Sequence, residues 1–218
     1  MIKTVLLAGF APFNGESLNP AWEAVAMLQG YADATFRVES RQLPCAFGSA
    51  RQILSDFVKE LSPALVVVVG QAGGRPDITI ERVAINVDDA PIKDNAGQQP
   101  IDQVIAEDGP AAYFATLPLK SIVCALRELG IPASVSQSAG TFVCNHVFYG
   151  LMHFLATQMP NSRIGAGFIH IPYLPAQAAN RPGAPSMALD TVVMGLQCAI
   201  QVALSTSEDR KEAGGTTH

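Results

Sequence analysis

The stretch ALVVVVGQAGGR, Ala64 to Arg75, carries the clearest structural signal in the chain. Ala64–Val69 is a continuous β-branched run with no polar face, as expected of a central strand covered on both sides. Such a strand needs helices above and below it, and the flanking segments supply them. Upstream, Val5–Phe10 (VLLAGF) reads as a short buried strand ended by turn residues. Asn19 as N-cap and Pro20 then open a helix over Ala21–Leu28. Phe36–Leu43 alternates as a second strand, and Gly48–Glu60 has the apolar spacing of a helix. Downstream, the pattern predicts a strand over Asp77–Asn86 (DITIERVAIN), a helix over Leu119–Leu129 and a strand over Ala133–Ser136. Helix Phe142–Met159, strand Ile164–Ile171 and helix Ser186–Leu204 complete it. Strands alternating with helices predict a single-domain three-layer α/β/α sandwich around a mainly parallel, mixed sheet. The domain is expected to span residues 1–204, with the polar tail 205–218 frayed. Residues 88–110, rich in Asp, Pro, Gly and Asn, form the longest irregular segment, and loops of that length tend to serve function or assembly.

Composition narrows the function classes. The chain has 218 residues, 49% of them hydrophobic, and a net charge of −5. It is long enough to bury a substantial core. The acidic balance, with no Lys/Arg run beyond a dipeptide, argues against nucleic acid as the main partner. No stretch approaches the ~20 apolar residues of a membrane span, and the apolar run in MIKTVLLAGFAPFNG is too brief for a signal-peptide core. The four cysteines, Cys45, Cys124, Cys144 and Cys198, are scattered without a CxxC pair. Free thiols in a cytoplasmic chain are therefore expected. No metal is expected, because the His and Cys residues lack ligand spacing and Asp88–Asp89 has no partner cluster. No nucleotide cofactor is expected either, since GFAPFNG and GQAGGR match neither GxGxxG nor GxxxxGK[ST].

Candidate chemistry centres on SVSQSAGTFVCNHVFYG, Ser134 to Gly150. Thr141 as N-cap places Phe142, Val143 and Cys144 in the first helical turn. A thiol there faces unpaired backbone N–H groups and the positive end of the helix dipole, which favour a thiolate and could hold an oxyanion. Cys144 also begins an apolar stripe with Val147, Phe148, Leu151 and Leu155, and free cysteines are among the most buried residues. Position alone leaves both readings open and leans towards core packing. Small residues Ala139 and Gly140 just before the cap would let a substrate approach.

A nucleophilic thiol needs a base, and there are four histidines. His218 lies in the tail. His146 is about 200° around the helix from Cys144 and points away. His153 shares a face with His146 and Tyr149 that reads as solvated or as an interface. His170 closes strand IGAGFIH at the sheet edge where open α/β folds bind ligands, and is the best base by elimination. Glu81 lies between Ile80 and Val83, where a carboxylate is costly unless paired. Arg82 points to the opposite face and cannot easily pair with it, so Glu81 is a candidate to orient the base. Phe10, Phe13 and Phe142 could build a flat slot for a small ring, although Phe10 alone would suit core packing.

Two long motifs then match something specific. GQAGGRPDITIERVAIN (Gly70–Asn86) and IPASVSQSAGTFVCN (Ile131–Asn145) resemble the glutamate and cysteine motifs of the pyroglutamyl peptidase I family. GFAPFNGESLNPAWEAV and NAGQQPID…DGPAAYFATLPLK are similar as well, so the likeness runs from about Val5 to the last helix. The resemblance implies a cysteine peptidase that removes N-terminal pyroglutamate from peptides. It implies Cys144 as nucleophile, His170 as base and Glu81 as the acid. It also implies a ring pocket of Phe10, Phe13, Phe142 and Val143, with the turn at Gln71 giving backbone contacts to the lactam. It further implies an α/β/α fold, no metal, and a homotetramer. Three positions depart from the family pattern: Ala11 for an acidic residue, Asn14 for glycine, and Pro91 for arginine in DDAPIKDN. They bear on affinity and rate more than on reaction class. The rivals are a nitrilase-like Glu-Lys-Cys amidohydrolase using Lys93 or Lys120, and a phosphorylase-like ligand binder using Arg75.

Overall fold

Residues 2–215 are described in a computed structural model of the chain; His218 lies outside the described residues. The ALVVVV run forms β3 (Leu65–Gln71), paired in parallel with β1 (Lys3–Phe10) on one side and β8 (Gly165–Ile171) on the other. β2 (Phe36–Leu43) lies beyond β1, while β4 (Ile78–Glu81) and β7 (Ala133–Ser136) extend the sheet past β8. The order is β2-β1-β3-β8-β4-β7. β4 runs antiparallel to β8 and parallel to β7, which makes the sheet mixed with a parallel majority.

The uniform apolarity of β3 follows from its having two covered faces. Leu65, Val67 and Val69 join Val5, Leu7 and Ile169 under helices α1 (Pro20–Met27), α3 (Leu119–Glu128) and α6 (Leu189–Ser205). Val66 and Val68 join Leu6, Ala8 and Phe168 under α2 (Ser49–Leu61) and α4 (Val143–Gln158). Successive side chains on a strand point to opposite faces, so one run fills two cores.

DITIERVAIN is not one strand. It divides into β4 and β5 (Val83–Ile85), and β5 pairs antiparallel with β6 (Ala112–Phe114) in a separate two-stranded sheet. Arg82 is the crossing point. Its N–H donates to Ser136 O at 2.9 Å in the main sheet, and its carbonyl accepts from Ala115 N at 2.9 Å. Alternation alone cannot tell one sheet from two when every backbone group stays paired across the break.

The small sheet and the 88–110 segment cover the outer face of α4. Asn145 accepts from Ile85 N at 3.0 Å and donates to Ile85 O and Val87 O at 2.9 and 3.0 Å. The Tyr149 hydroxyl donates to Pro110 O at 2.7 Å. The face expected to be solvated or an interface is therefore covered within the chain itself, with His146 and Tyr149 buried. The tail does not fray over residues 206–215 either. Asp209 accepts from Lys120 N at 3.0 Å and Ser121 N at 2.9 Å, capping α3, which has no side-chain cap of its own. Arg82 reaches Gly214 O at 3.3 Å, and Lys120 Nζ donates to Glu212 O. The tail's polar composition concealed this docking because its partners are distant in sequence.

Candidate active site

The ends of β3 and β8, the start of α4 and the turn after β1 converge on a cavity of about 320 Å³. Cys144 and His170 line it together with Phe10, Phe13, Phe142 and Gln71. Register explains the meeting of thiol and imidazole. Gly70 is the parallel partner of His170, and a Cβ on Gly70 would lie only 3.0 Å from Cys144 Sγ. The sulfur thus occupies the space that glycine leaves open beside the histidine. A groove of about 420 Å³ between α2 and α4, lined by Arg51, Asp108 and His153, contains no cysteine.

Glu81 comes to His170 across the antiparallel seam. Thr79 is the register partner of His170, so Glu81, two residues on, stays on the same face. His170 Nδ1 meets Glu81 Oε1 at 2.7 Å, with both side chains buried. Nδ1 is committed to the carboxylate, which leaves Nε2 for proton transfer. Burial pushes the Glu81 carboxyl up, but His170 and Arg75, whose hydrogen bonds it accepts, hold it below its ordinary value. The one Ser136 hydroxyl proton goes to Ser138 O at 3.1 Å, and Glu81 Oε2 has no partner in this arrangement. For His170 burial wins: it lowers the imidazole against the pull of Glu81. Burial likewise pushes the Cys144 thiol well above its usual range, with Cys45 and Glu81 adding to the rise. Desolvation thus opposes the thiolate that the helix start favours, and Arg75 returns only part of that cost.

Thr141 is not the cap of α4. Its hydroxyl donates to Asp89 O at 2.7 Å, fastening the 88–110 segment, and Phe142 stands at the N-cap without a side-chain hydrogen bond. The first intrahelical donor is His146 N, to Phe142 O. The N–H groups of Val143, Cys144 and Asn145 are consequently left for a ligand by the geometry of a helix start.

Of the ring-pocket residues, Phe10, Phe13, Phe142 and Gln71 line the cavity. Phe13 and Phe142 lie 6.3 Å apart, and Phe47 meets Phe142 edge-on at 5.4 Å. Gln71 Oε1 accepts from Gln177 Nε2 at 3.0 Å, on the short helix α5 (Pro175–Ala178) that the sequence did not suggest. Val143 departs from the expectation. Its side chain is buried in the core and does not line the cavity, because the first helical position faces the sheet. Asn19, Cys45 and Arg75 line the cavity although sequence reasoning gave them no part in this site. Burial, then Asp94, pushes the Cys45 thiol up to about 12. The signal for Asn19 was its N-cap position, and its Oδ1 does cap Ala21 N at 3.0 Å.

His146, the histidine next to Cys144 in sequence, has other work. Nδ1 meets Asp88 Oδ2 at 2.7 Å and Nε2 accepts from Gly48 N at 2.9 Å. Neither Lys93 nor Lys120 lines the cavity, which removes the Glu-Lys-Cys alternative, and Arg75 is engaged by Glu81 rather than open to a phosphate. Asn14 takes φ 54°, a left-handed conformation that asparagine tolerates and glycine adopts freely, so the departure expected at this position is compatible with the backbone. Among the described residues no group of three or more His, Cys, Asp or Glu side chains is gathered as a metal site requires, and no helix is long and apolar enough to cross a membrane.

Thiol, imidazole and carboxylate in series at the edge of an α/β/α sandwich define a cysteine hydrolase. Within that class the chain belongs to the pyroglutamyl peptidase family, whose model matches residues 3–206. It is 60% identical to the pyrrolidone-carboxylate peptidase of Cupriavidus taiwanensis, over the full length of both chains. The crystal structure of pyroglutamyl peptidase I from Bacillus amyloliquefaciens superposes with a TM-score of 0.94 at 46% identity, covering 98% of this chain and 100% of that one. The pyrrolidone carboxyl peptidase of Thermococcus litoralis gives 0.93 at 38% identity, covering 97% and 100%.

Proposed function

We propose that this chain hydrolyses the amide bond following an N-terminal pyroglutamate of peptides, with Cys144 as nucleophile, His170 as base and Glu81 as its orienting carboxylate. The observation that carries the assignment of roles is the buried 2.7 Å contact between His170 and Glu81 beside the thiol. The proton passes from Sγ to Nε2 as sulfur attacks the pyroglutamyl carbonyl. Ionised Glu81 stabilises the imidazolium and keeps its tautomer. The free N–H groups at the start of α4 hold the oxyanion. The intermediate collapses to a thioester, and the peptide amine departs with the proton from Nε2. Water, deprotonated by His170, then releases pyroglutamate.

Pyroglutamate has no free amine, so a slot of Phe10, Phe13 and Phe142 with backbone contacts near Gln71 suits its lactam better than an acidic pocket would. In this proposal Val143 contributes its main-chain N–H alone. The catalytic groups all fall within residues 1–204. Homotetrameric assembly fits the exposed apolar side chains Ile101, Val104 and Phe114 on the covering segment. A cytoplasmic setting fits four free cysteines.

The test is release of a coumarin from pyroglutamyl amide, with and without a chelator or a thiol alkylator. Alkylation alone should abolish it, and Cys144→Ala should be inactive with its thermal transition retained. Turnover by Cys144→Ala at the wild-type rate refutes the mechanism.

A further inference from the structure

The Glu81 carboxylate does not serve His170 alone. Arg75, in the turn between β3 and β4, directs Nη1 to the same Oε1 at 2.7 Å and to Thr79 Oγ1 at 2.6 Å. Its Nη2 donates to Ser138 O at 3.1 Å, in the loop that leads into α4. One oxygen therefore receives both guanidinium and imidazole, while Oε2 has no partner. An arginine present only to neutralise a buried acid would be served as well by the unused oxygen. Bound to Oε1, it fixes which carboxylate edge addresses the histidine. Its side chain is 32% exposed and also lines the cavity.

We propose that Arg75 is a positioning residue for the hydrolysis: it holds Glu81 in the orientation that serves His170, ties that acid to the loop leading into the helix of Cys144, and keeps a positive charge beside the proton-transfer pair. This rests on the hydrolytic reading above. The groups facing His170 are Glu81 from β4, Arg75 from the β3–β4 turn and Cys144 from α4, with Cys45 from the loop before α2 lining the same cavity. Burial apart, Glu81 raises the basicity of the imidazole and Arg75 lowers it. At Cys144, Cys45 and Glu81 oppose the thiolate and Arg75 favours it. Removing the guanidinium charge therefore makes His170 easier to protonate and Cys144 harder to ionise. Both changes move the titrations of the site to higher pH.

Arg75→Gln removes the charge and Arg75→Lys keeps it without the two-pronged geometry. Two readouts are needed: the pH profile of kcat/KM on a pyroglutamyl coumarylamide, and the pH dependence of Cys144 alkylation by iodoacetamide, followed by mass spectrometry of the Cys144 peptide. In Arg75→Gln both limbs of the rate profile and the alkylation profile should move to higher pH. Its kcat/KM at the wild-type optimum should fall about ten- to hundredfold, the rate equivalent of one charge-assisted hydrogen bond. Arg75→Lys should keep wild-type limbs and recover part of the rate. A uniform loss with wild-type limbs, or an unmoved alkylation profile, overturns the proposal. Should Arg75→Gln fail to fold, Arg75→Lys decides: lowered kcat with wild-type limbs upholds it and displaced limbs overturn it. If the wild-type protein cleaves no pyroglutamyl amide, the hydrolytic reading fails, and the alkylation profile still decides the role of Arg75.

Discussion

A methyl group on residue 70 would lie 3.0 Å from Cys144 Sγ and 2.8 Å from two carbons of the Phe168 ring. Gly70 is not in the left-handed region, so the backbone accepts alanine and the perturbation is steric. Relaxed contacts between heavy atoms fall at about 3.5–4.0 Å, so sulfur and ring must retreat by about 0.5–1 Å. The ring has little room to yield. Phe168 is fully buried, 5.9 Å from Phe148, 6.2 Å from Phe10 and 4.7 Å from the His170 imidazole. Overpacking of this kind costs about 1–3 kcal/mol, which in a domain of this size lowers the melting temperature by roughly 2–12 °C. Displacing a reacting atom by about 1 Å can cost about a hundredfold in rate. Gly70→Ala should therefore lower kcat on pyroglutamyl coumarylamide about a hundredfold. KM should change little, since the wall formed by Phe13 and Phe142 is untouched. Thermal melting and steady-state kinetics on one preparation measure both effects. Wild-type kcat in a folded Gly70→Ala protein would show that the floor of the cavity does not place the sulfur.

Other consequences follow from the corrected parts of the fold. Asp209→Ala should destabilise the protein by about 0.5–2 kcal/mol through loss of the α3 cap, with kcat unchanged. Backbone donors overcome burial and hold the Asp209 carboxyl below its ordinary value. That contribution is present above the unfolded carboxylate pKa of about 4 and is lost as pH falls further, so the variant and wild type should converge in acid. His146→Leu should cost about 1–3 kcal/mol in urea denaturation by leaving the Asp88 side chain and the Gly48 N–H without their partner; an unchanged midpoint would remove His146 from its structural role. At alkaline pH the thiols lining the cavity act in the opposite sense to Asp209. Cys45 and Cys144 have raised folded values, so their stabilisation is complete below the unfolded thiol pKa and is lost above it. Stability should fall from about pH 9 upward by up to ~1.4 kcal/mol per pH unit for each thiol. A slope in Cys144→Ala as steep as in wild type would contradict the desolvation of that thiol.

Much of this protein could be read from its sequence because the signals were periodic or local. The two-faced core shows in ALVVVV, the alternation of strands and helices shows in spacing, and small residues before Cys144 hinted that a substrate could approach the thiol proposed as nucleophile. Glu81 betrayed itself as a carboxylate among Ile80, Val83 and Ile85, and His170 by its place at a strand end. What the sequence could not carry were pairings between distant positions and the local dielectric. DITIERVAIN changes sheets at Arg82 because Ser136 and Ala115 are there to take its backbone groups. Thr141 leaves the helix uncapped because Asp89 draws its hydroxyl away. Arg75 became part of the site only when β4 turned back beside β8 and brought Glu81 between guanidinium and imidazole. The balance acting on the thiol was decided in the same way. A helix start favours the thiolate, but the cavity walls assembled around Cys144 desolvate it, and desolvation is a property of the assembled fold.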